Sequence, residues 1–268
     1  MHGIPLQAVR APSPVSEPPL ISCVDVGHVY ATGRGETAAL AGVSLSVARG
    51  EFVCVLGPSG CGKTTLLNIL AGFVAPSHGV VRIDGRGIDG PSSERGVVFQ
   101  DYSLFPWLTA EANVAFGLRM AGRPGRERRE AARRLLDLVG LPEAGGRYPS
   151  ELSGGMKQRI AIARALATRP SLLLMDEPFA ALDAMTRSAL QSKLIEIQAR
   201  EAQTILFVTH NIAEAISLGT RLVVMSPHPG RITEDIAVDL AYPRRRTSPA
   251  FNALYDRVAR AIGLEAAE

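Results

Sequence analysis

The stretch Gly57-Pro58-Ser59-Gly60-Cys61-Gly62-Lys63-Thr64 fits the pattern G-x-x-x-x-G-K-[ST] and decides how the rest of the chain is interpreted. It follows a short apolar run, Phe52–Leu56, and it opens a predicted helix over Lys63–Ala71. A strand, a glycine-rich loop and a helix in this order are the setting that the pattern requires. Glycines let backbone N–H groups converge on phosphate oxygens, and the helix N-terminus adds partial positive charge. The stretch therefore predicts a binding site for a nucleoside triphosphate.

Two side chains of this loop are suited to specific contacts. Lys63 is predicted to reach the β- and γ-phosphates, and the Thr64 hydroxyl is predicted to ligate Mg²⁺. A flexible glycine turn is the alternative, but eight matching positions in the right setting disfavour it. We expect the loop and the residue after it to contact the nucleotide: Gly57, Pro58, Ser59, Gly60, Cys61, Gly62, Lys63, Thr64 and Thr65.

Two adjacent carboxylates follow a second apolar run at 172–175. This run predicts a buried strand, and the carboxyl end of such a strand is where parallel sheets present ligands. Asp176 is placed to hold Mg²⁺, and Glu177 is placed to polarise an attacking water as a general base. An acidic helix cap before Pro178 would explain the pair without catalysis. The phosphate loop elsewhere in the chain favours the catalytic interpretation.

The segment 152–158, Leu-Ser-Gly-Gly-Met-Lys-Gln, is a phosphate-binding arrangement of another kind. It offers the Ser153 hydroxyl and the backbone N–H groups of Gly154 and Gly155 before a helix predicted over 158–167. Taken alone, the segment could be a helix cap with a Gly-Gly turn. Two different phosphate-binding surfaces in one chain are explained if two copies pair head to tail under a C₂ axis, each closing the other's site.

Strands and helices alternate along the chain, which predicts an α/β fold with a mainly parallel sheet covered on both faces. Alternating early strands at 21–30 and 43–47 predict an antiparallel part beside it. The pattern is helical and arginine-rich over about 101–165, which indicates a helical insertion. Further strands are predicted at 80–83, 97–99, 172–175, 205–208 and 222–225.

With these motifs, the chain resembles the ATP-binding subunit of an ABC transporter over residues 21–240. Residues 57–64 match the Walker A loop of that family, 172–177 the Walker B strand, and 152–158 the family signature. The resemblance implies a P-loop NTPase fold with a mainly parallel sheet core, an antiparallel β subdomain and a helical insertion. It also implies ATP hydrolysis, with ATP and Mg²⁺ bound.

The same resemblance assigns roles to single residues outside these motifs. Gln100 matches the Q-loop glutamine, which in the family contacts magnesium and the attacking water. Asp183 ends the D-loop, His210 matches the switch histidine that senses the γ-phosphate, and Tyr30 matches the aromatic that stacks on adenine. Met156 departs from the commonest signature, which has glutamine there. That departure removes one side-chain amide but no backbone donor.

Shorter sequence segments are similar to those of the nitrate, sulfonate and taurine importer branch of the family. They lie at 104–109, 153–159 and 225–232, and the tail at 243–262 resembles that branch's C-terminal helix. This likeness implies integral-membrane permease subunits as partners and, indirectly, a solute-binding protein. It places the chain at the cytoplasmic face of the cell membrane as a peripheral subunit, energising uptake of a small anion such as nitrate, sulfonate or taurine.

Composition sets the remaining limits. The chain has 268 residues, of which 46% are hydrophobic and 21% charged, and this composition is typical of a globular protein. A net charge of +3 is too weak to indicate nucleic acid, and no nucleic-acid partner is expected. The three cysteines form no C-x-x-C pair, so neither a disulfide scaffold nor a zinc site is expected. No apolar run is long enough to cross a membrane.

We expect three parts in the chain. Five prolines make residues 1–20 a flexible tail rather than a secretory signal. Residues 21–240 form the ATPase domain, and 241–268 form a helical extension.

Alternatives from other classes remain. A soluble ATPase of this family acting on nucleic acid would usually carry a long insertion, but only 52 residues separate Gln100 from Ser153. One acting on ribosomes normally has two cassettes in one chain. A small-molecule kinase would not explain the signature or His210.

Four further local features bear on function. Two of them allow two interpretations, and the other two each lead to one prediction. The arginines at 119–134 alternate with acids, which predicts a solvated helix face rather than a nucleic-acid surface. Arg244-Arg245-Arg246 is either a contact to anionic lipid headgroups or a solvated turn. Phe105-Pro106-Trp107 is either core or an exposed anchor for a membrane partner. Cys61 lies near a helix N-terminus, and this position predicts a reactive thiolate.

Overall fold

The computed structural model describes residues 18–33 and 35–263. Most of the predicted tail over 1–20, and the last five residues of the predicted extension, lie outside the described residues. The described chain divides into two compact units. The first comprises residues 18–33, 35–70, 74–89 and 208–263, and the second comprises 71–73 and 90–207. In the described part, no helix combines the length and the apolar character needed to cross a membrane.

The regular elements alternate much as the sequence predicts. The strands are β1 Ile21–Thr32, β2 Gly35–Val47, β3 Phe52–Leu56, β4 His78–Ile83, β5 Arg86–Gly87, β6 Arg95–Val98, β7 Leu172–Asp176, β8 Thr204–Val208, β9 Arg221–Ser226 and β10 Arg231–Ala237. The helices are α1 Lys63–Ala71, α2 Ala110–Met120, α3 Gly125–Leu138, α4 Gly154–Ala167, α5 Ala184–Glu201, α6 Ile212–Leu218 and α7 Pro249–Ile262.

The first unit contains the predicted antiparallel part, a sheet in the order β2-β1-β4-β5. Ile21 lies opposite Val47 on one side and Ile83 on the other. Val43, Leu45 and Val47 are buried while the residues between them are exposed, because successive side chains in a strand point to opposite faces. The alternation read from the sequence therefore identifies the face that packs inward.

The same unit holds the strand that leads into the phosphate loop. All five residues of β3 are buried, and β3 pairs in parallel with β9. The strand predicted over 52–56 and the helix predicted over 63–71 agree with β3 and α1. The sequence did not predict β10, which pairs antiparallel with β9. Its residues are mostly polar, and all except the buried Ile236 are half-buried or exposed, so the apolar run that marks the other strands is missing.

The second unit combines strands in the order β8-β7-β6 with α2, α3, α4 and α5. β7 and β8 are buried along their whole length, and β6 pairs in parallel with β7. Continuous apolar strands of this kind are typical of parallel sheets with covered faces. The helical insertion predicted over 101–165 corresponds to α2, α3 and most of α4.

Two predicted helix boundaries are wrong. The helix expected to begin at Gln158 begins at Gly154, because Ser153 caps it: its Oγ accepts the N–H of Met156 at 3.3 Å. The helix of the C-terminal extension begins only at Pro249, after Ser248 as its N-cap. At α4 the serine cap outweighs the low helix propensity of glycine, whereas at α7 proline occupies the first helical position, where its fixed φ suits the helix.

Candidate functional site

Lys63 lies inside the loop that precedes α1. Its side chain is buried, and Nζ donates to the carbonyl oxygens of Gly57 at 2.7 Å and Pro58 at 2.8 Å. A third contact, at 3.5 Å, joins Nζ to the Cys61 sulfur. A buried ammonium is tolerated only with such partners. The loop thus encloses the Lys63 ammonium, a positive charge of the kind that a phosphate-binding loop requires.

The loop is so tightly packed that two glycines allow no side chain. Gly62 has φ +87°, and a Cβ there would lie 2.7 Å from the carbonyl oxygen of Ala39. At Gly230, in the turn between β9 and β10, a Cβ would lie 2.2 Å from the carbonyl oxygen of Cys61. Gly230 also exchanges two backbone hydrogen bonds with β2, through Ala39 and Ala41. The shape of the loop is therefore fixed by backbone contacts from distant parts of the chain.

Other residues of this loop that are predicted to contact the nucleotide differ in their burial. Ser59, Gly60 and Thr64 are exposed, whereas Cys61 and Thr65 are buried. The burial of Cys61 contradicts the expectation of a reactive thiol, because a reagent has no access to the sulfur.

Tyr30 lies beside the first turn of α1. Its hydroxyl is 3.4 Å from Oγ1 of Thr65, and its ring makes an edge contact with His28 at a centroid distance of 4.4 Å. Because 39% of Tyr30 remains exposed, one part of the ring is available for stacking. Tyr30 thus lies next to the helix that follows the phosphate loop.

His210 follows a residue that is hydrogen-bonded to the phosphate-loop strand. The N–H of Thr209 donates to the carbonyl oxygen of Val55 at 3.2 Å, two residues before Gly57. Thr209 Oγ1 donates to Glu214 at 2.7 Å, and Asn211 Oδ1 caps α6 by accepting the Glu214 N–H at 3.0 Å. The exposed His210 is therefore held between an anchored strand end and a capped helix.

In the second unit, the carboxylates emerge at the end of β7. Asp176 is the last residue of the strand and is buried. Glu177 is half-buried and has a left-handed backbone at φ 45°, with its carbonyl accepting the Ala180 N–H at 3.2 Å. Left-handed non-glycine residues cluster at functional sites, where they aim a side chain.

The oxygen donors fit magnesium better than a transition metal. Thr64 in the first unit offers a hydroxyl and Asp176 in the second offers a carboxylate, and both are hard ligands of the kind that Mg²⁺ takes besides phosphate oxygens. Within the described ranges, no cluster of three or more His, Cys, Asp or Glu could hold a metal ion.

Gln100 is exposed and follows β6 by two residues. Two residues further on, Tyr102 and Ser103 both have left-handed backbones, at φ 58° and 47°. Arg164 on α4 holds them, donating to the carbonyl oxygens of Ser103 at 2.7 Å and Tyr102 at 3.2 Å. Burial lowers the pKa of Arg164, although the guanidinium stays charged at neutral pH. Sequence reasoning missed Arg164.

The Ser153-Gly154-Gly155 segment lies at the N-terminus of α4, where Ser153 is exposed. A Cβ at Gly155 would lie 3.3 Å from Leu182, so the signature and the D-loop are close neighbours. Asp183 caps α5 by accepting the Thr186 N–H at 3.0 Å, and this hydrogen bonding lowers the pKa of its carboxyl group. Four residues after Gly154, the buried amide of Gln158 has no hydrogen-bond partner among the described residues.

The loop between Gln100 and α2 is fixed by Asn113, which sequence reasoning also missed. Its side chain accepts the Phe105 N–H at 2.8 Å and donates to the carbonyl oxygens of Phe105, Leu108 and Thr109 at 3.0–3.1 Å. Phe105 packs on Phe116, but 70% of Trp107 is exposed. Phe105 is thus a half-buried contact of the helical part, and Trp107 lies at the surface.

The comparisons with known proteins agree with this arrangement. The family described as "ABC transporter" matches residues 40–180. The chain is 53% identical over 222 residues to the taurine import ATP-binding protein TauB of Sinorhizobium fredii, covering 80% of this chain and 83% of that one. It is 48% identical over 218 residues to TauB of Escherichia coli strain UTI89, covering 81% and 85%.

A solved structure supports the fold as well. The dimeric structure of a post-hydrolysis state of the ATP-binding cassette MJ0796, bound to ADP and Pi, matches with a TM-score of 0.76 and 34% identity. The match covers 82% of this chain and 99% of that one. The fold predicted from the sequence is confirmed, and the chain belongs to the ABC transporter family, among its ATP-binding subunits.

Proposed function

We propose that this chain hydrolyses ATP to energise a membrane importer. The observation that carries the proposal is the loop around Lys63. Its closely packed glycine backbone and its buried ammonium suit the binding of a triphosphate. Lys63 leaves its carbonyl partners for the β- and γ-phosphates when ATP binds, and the phosphate charge then replaces the loop carbonyls as its partner. Tyr30, whose ring is partly exposed, stacks on the adenine.

Each polar residue of the site then has a chemical task. Glu177 accepts a proton from the attacking water, while Gln100 and His210 orient the water and the γ-phosphate. When bound, Mg²⁺ neutralises charge on the phosphates, and Thr64 and Asp176 are the residues that would hold it. Hydrolysis of this kind depends mostly on positioning and charge stabilisation rather than on covalent catalysis.

We further propose that two copies form the working unit. Ser153 is exposed at a capped helix N-terminus, so its hydroxyl and the N–H groups of Gly154 and Gly155 are available to a γ-phosphate bound by the other copy. Asp183 lies in the D-loop close to this surface, where a second copy would meet it. The dimeric cassette MJ0796 provides a precedent for such pairing.

The importer part of the proposal is supported by the TauB relatives, which are named as taurine import proteins. The partners are then integral-membrane permease subunits and, indirectly, a solute-binding protein, and the cargo is a small anion of the sulfonate type. The chain would lie on the cytoplasmic face of the membrane. The exposed Trp107, held out by a rigid loop, offers an anchor for the permease.

The variant Glu177→Gln tests this function. Because the amide cannot accept the proton, we expect phosphate release to fall about 10²- to 10⁴-fold while ATP binding is kept. We also expect ATP to trap the variant as a dimer, which light scattering on a sizing column measures. Glu196→Gln, an exposed ion-pair change on α5, is the matched control and should behave like the wild type.

Two results would contradict the proposal. A Glu177→Gln protein that stays monomeric at saturating ATP would overturn the paired arrangement. Transfer of the γ-phosphoryl group to an added acceptor molecule, in place of phosphate release, would indicate a kinase instead of an ATPase.

A further inference from the structure

The segment that follows β10 grips the C-terminal end of α6. The Tyr242 hydroxyl donates to the carbonyl oxygen of Leu218. Arg244 Nη1 donates to the carbonyl oxygens of Ile216 at 2.6 Å and Gly219 at 2.5 Å. The last carbonyls of a helix have no partner within the helix, so these side chains satisfy groups that α6 itself leaves open. We call Tyr242 and Arg244 the C-terminal clamp.

The two side chains of the clamp also contact each other and the chain just before them. The Arg244 guanidinium lies over the Tyr242 ring at 4.1 Å from the centroid, and its Nε donates to the carbonyl oxygen of Leu240 at 2.9 Å. Burial raises the pKa of Tyr242 to about 12, so the hydroxyl remains a donor at neutral pH. The next two arginines, Arg245 and Arg246, are exposed. Neither the lipid contact nor the solvated turn expected for the three arginines therefore describes Arg244.

The helix held by the clamp is the one that begins next to His210. α6 has seven residues and is about 10 Å long, so it transmits a displacement of one end to the other. Its first turn is capped by Asn211, and Thr209 ties the chain to Val55 of β3. His210 is the residue between these two anchors.

The clamped end of α6 also touches the phosphate-loop strand. A Cβ on Gly219, whose carbonyl Arg244 binds, would lie 2.8 Å from the sulfur of Cys54. Cys54 is fully buried in β3, three residues before Gly57. A loosened clamp would thus allow α6 to shift against β3, the strand that leads into the phosphate loop. His210, which lies just before α6, would shift with it.

We propose that Tyr242 and Arg244 are positioning residues for His210, through their hold on the last carbonyls of α6. The inference rests on the proposed function, since it needs His210 to act on a bound nucleotide. It gives the described part of the C-terminal extension a part in hydrolysis.

Two clamp variants test the proposal in purified full-length protein. Arg244→Met removes three hydrogen bonds and keeps an unbranched side chain about as long as the arginine stem, and Tyr242→Phe removes only the hydroxyl. We expect kcat for ATP hydrolysis to fall about tenfold, because small displacements of a positioned group have large effects on rate. We expect the Kd of a fluorescent ATP analogue to change less than twofold. Arg245→Met is the matched control, with unchanged kcat.

A double-mutant cycle with His210→Ala separates positioning from a loss of stability. If the clamp acts through His210, Arg244→Met lowers kcat in the wild type but has no further effect in the His210→Ala background. Equal fold-losses of kcat in both backgrounds, or a lower melting temperature with unchanged kcat, would overturn the inference. If His210→Ala itself leaves kcat unchanged, the proposed role of His210 fails instead. Tyr242→Phe provides the same comparison where Arg244→Met does not fold.

Discussion

Lys63 shows how a single residue serves both stability and binding. Its ammonium is nearly inaccessible and depends on the carbonyl oxygens of Gly57 and Pro58, which in turn have Lys63 as their charged donor. The pattern G-x-x-x-x-G-K-[ST] identified this residue from the sequence alone, because the lysine follows a glycine loop at fixed spacing.

The variant Lys63→Ala should weaken ATP binding about 10- to 100-fold, since it removes a charge-assisted hydrogen-bond donor to the phosphates. Titration with a fluorescent ATP analogue measures the change in Kd. Lys193→Ala, an exposed lysine on α5 paired with Glu196, is the control and should bind like the wild type. An unchanged Kd in Lys63→Ala would mean that the loop does not bind the triphosphate.

Other residues could not be identified from the sequence, for a physical reason. Arg164 and Arg244 donate to backbone carbonyls that lie about 60 and 25 residues away along the chain. A carbonyl is present at every position, so no residue type marks the acceptor. Only the fold brings donor and acceptor together, and sequence reasoning accordingly placed Arg244 in solvent or at lipid.

At the scale of elements, the accuracy of the predictions follows the strength of the local signal. β3 and α1 were predicted with their observed bounds because an apolar run and a defined motif meet there. The start of α4 was missed because Gly154 and Gly155 are poor helix formers, and the cap at Ser153 outweighs that preference. β10 was missed because pairing with β9 forms it, rather than apolar periodicity.

Asn113 on α2 makes an element-scale prediction possible. Its buried amide forms four hydrogen bonds to the loop 105–109, so Asn113→Ala removes the side-chain partners of several half-buried backbone groups. We expect the free energy of unfolding to fall by about 2–4 kcal/mol, as measured by urea denaturation. Asn252→Ala, an exposed asparagine on α7, should change it by less than about 0.5 kcal/mol. Equal effects of the two variants would contradict the role given to Asn113.

At the scale of the whole molecule, the sequence predicted the fold class and the family, because strand–helix alternation and ordered motifs extend over most of the chain. It predicted less about the ends. The extension at 241–268 was expected to be helical, but its functional contacts come from the irregular residues before α7.

The proposed membrane partner makes a prediction for the whole protein. Affinity purification of the tagged chain from detergent-solubilised native membranes should yield a permease with several membrane spans, identified by mass spectrometry. We expect Trp107→Ser to reduce this recovery at least about fivefold, since an exposed aromatic of this kind is a common interface anchor. Tyr255→Ser, which changes a partly exposed aromatic on α7, is the control. Recovery of DNA or ribosomes in place of a permease would favour the soluble alternative.

The packing of Gly230 against the carbonyl of Cys61 limits which amino acids position 230 can tolerate. The turn between β9 and β10 is more than 160 residues away from the phosphate loop along the chain, yet its backbone forms part of the wall behind that loop. In a saturation mutagenesis library selected for transport, position 230 should tolerate as few amino acids as position 62. A drug-resistance or loss-of-function screen should therefore recover substitutions at Gly230 with the same phenotype as nucleotide-binding defects. This holds although Gly230 has no polar side chain that could contact a nucleotide.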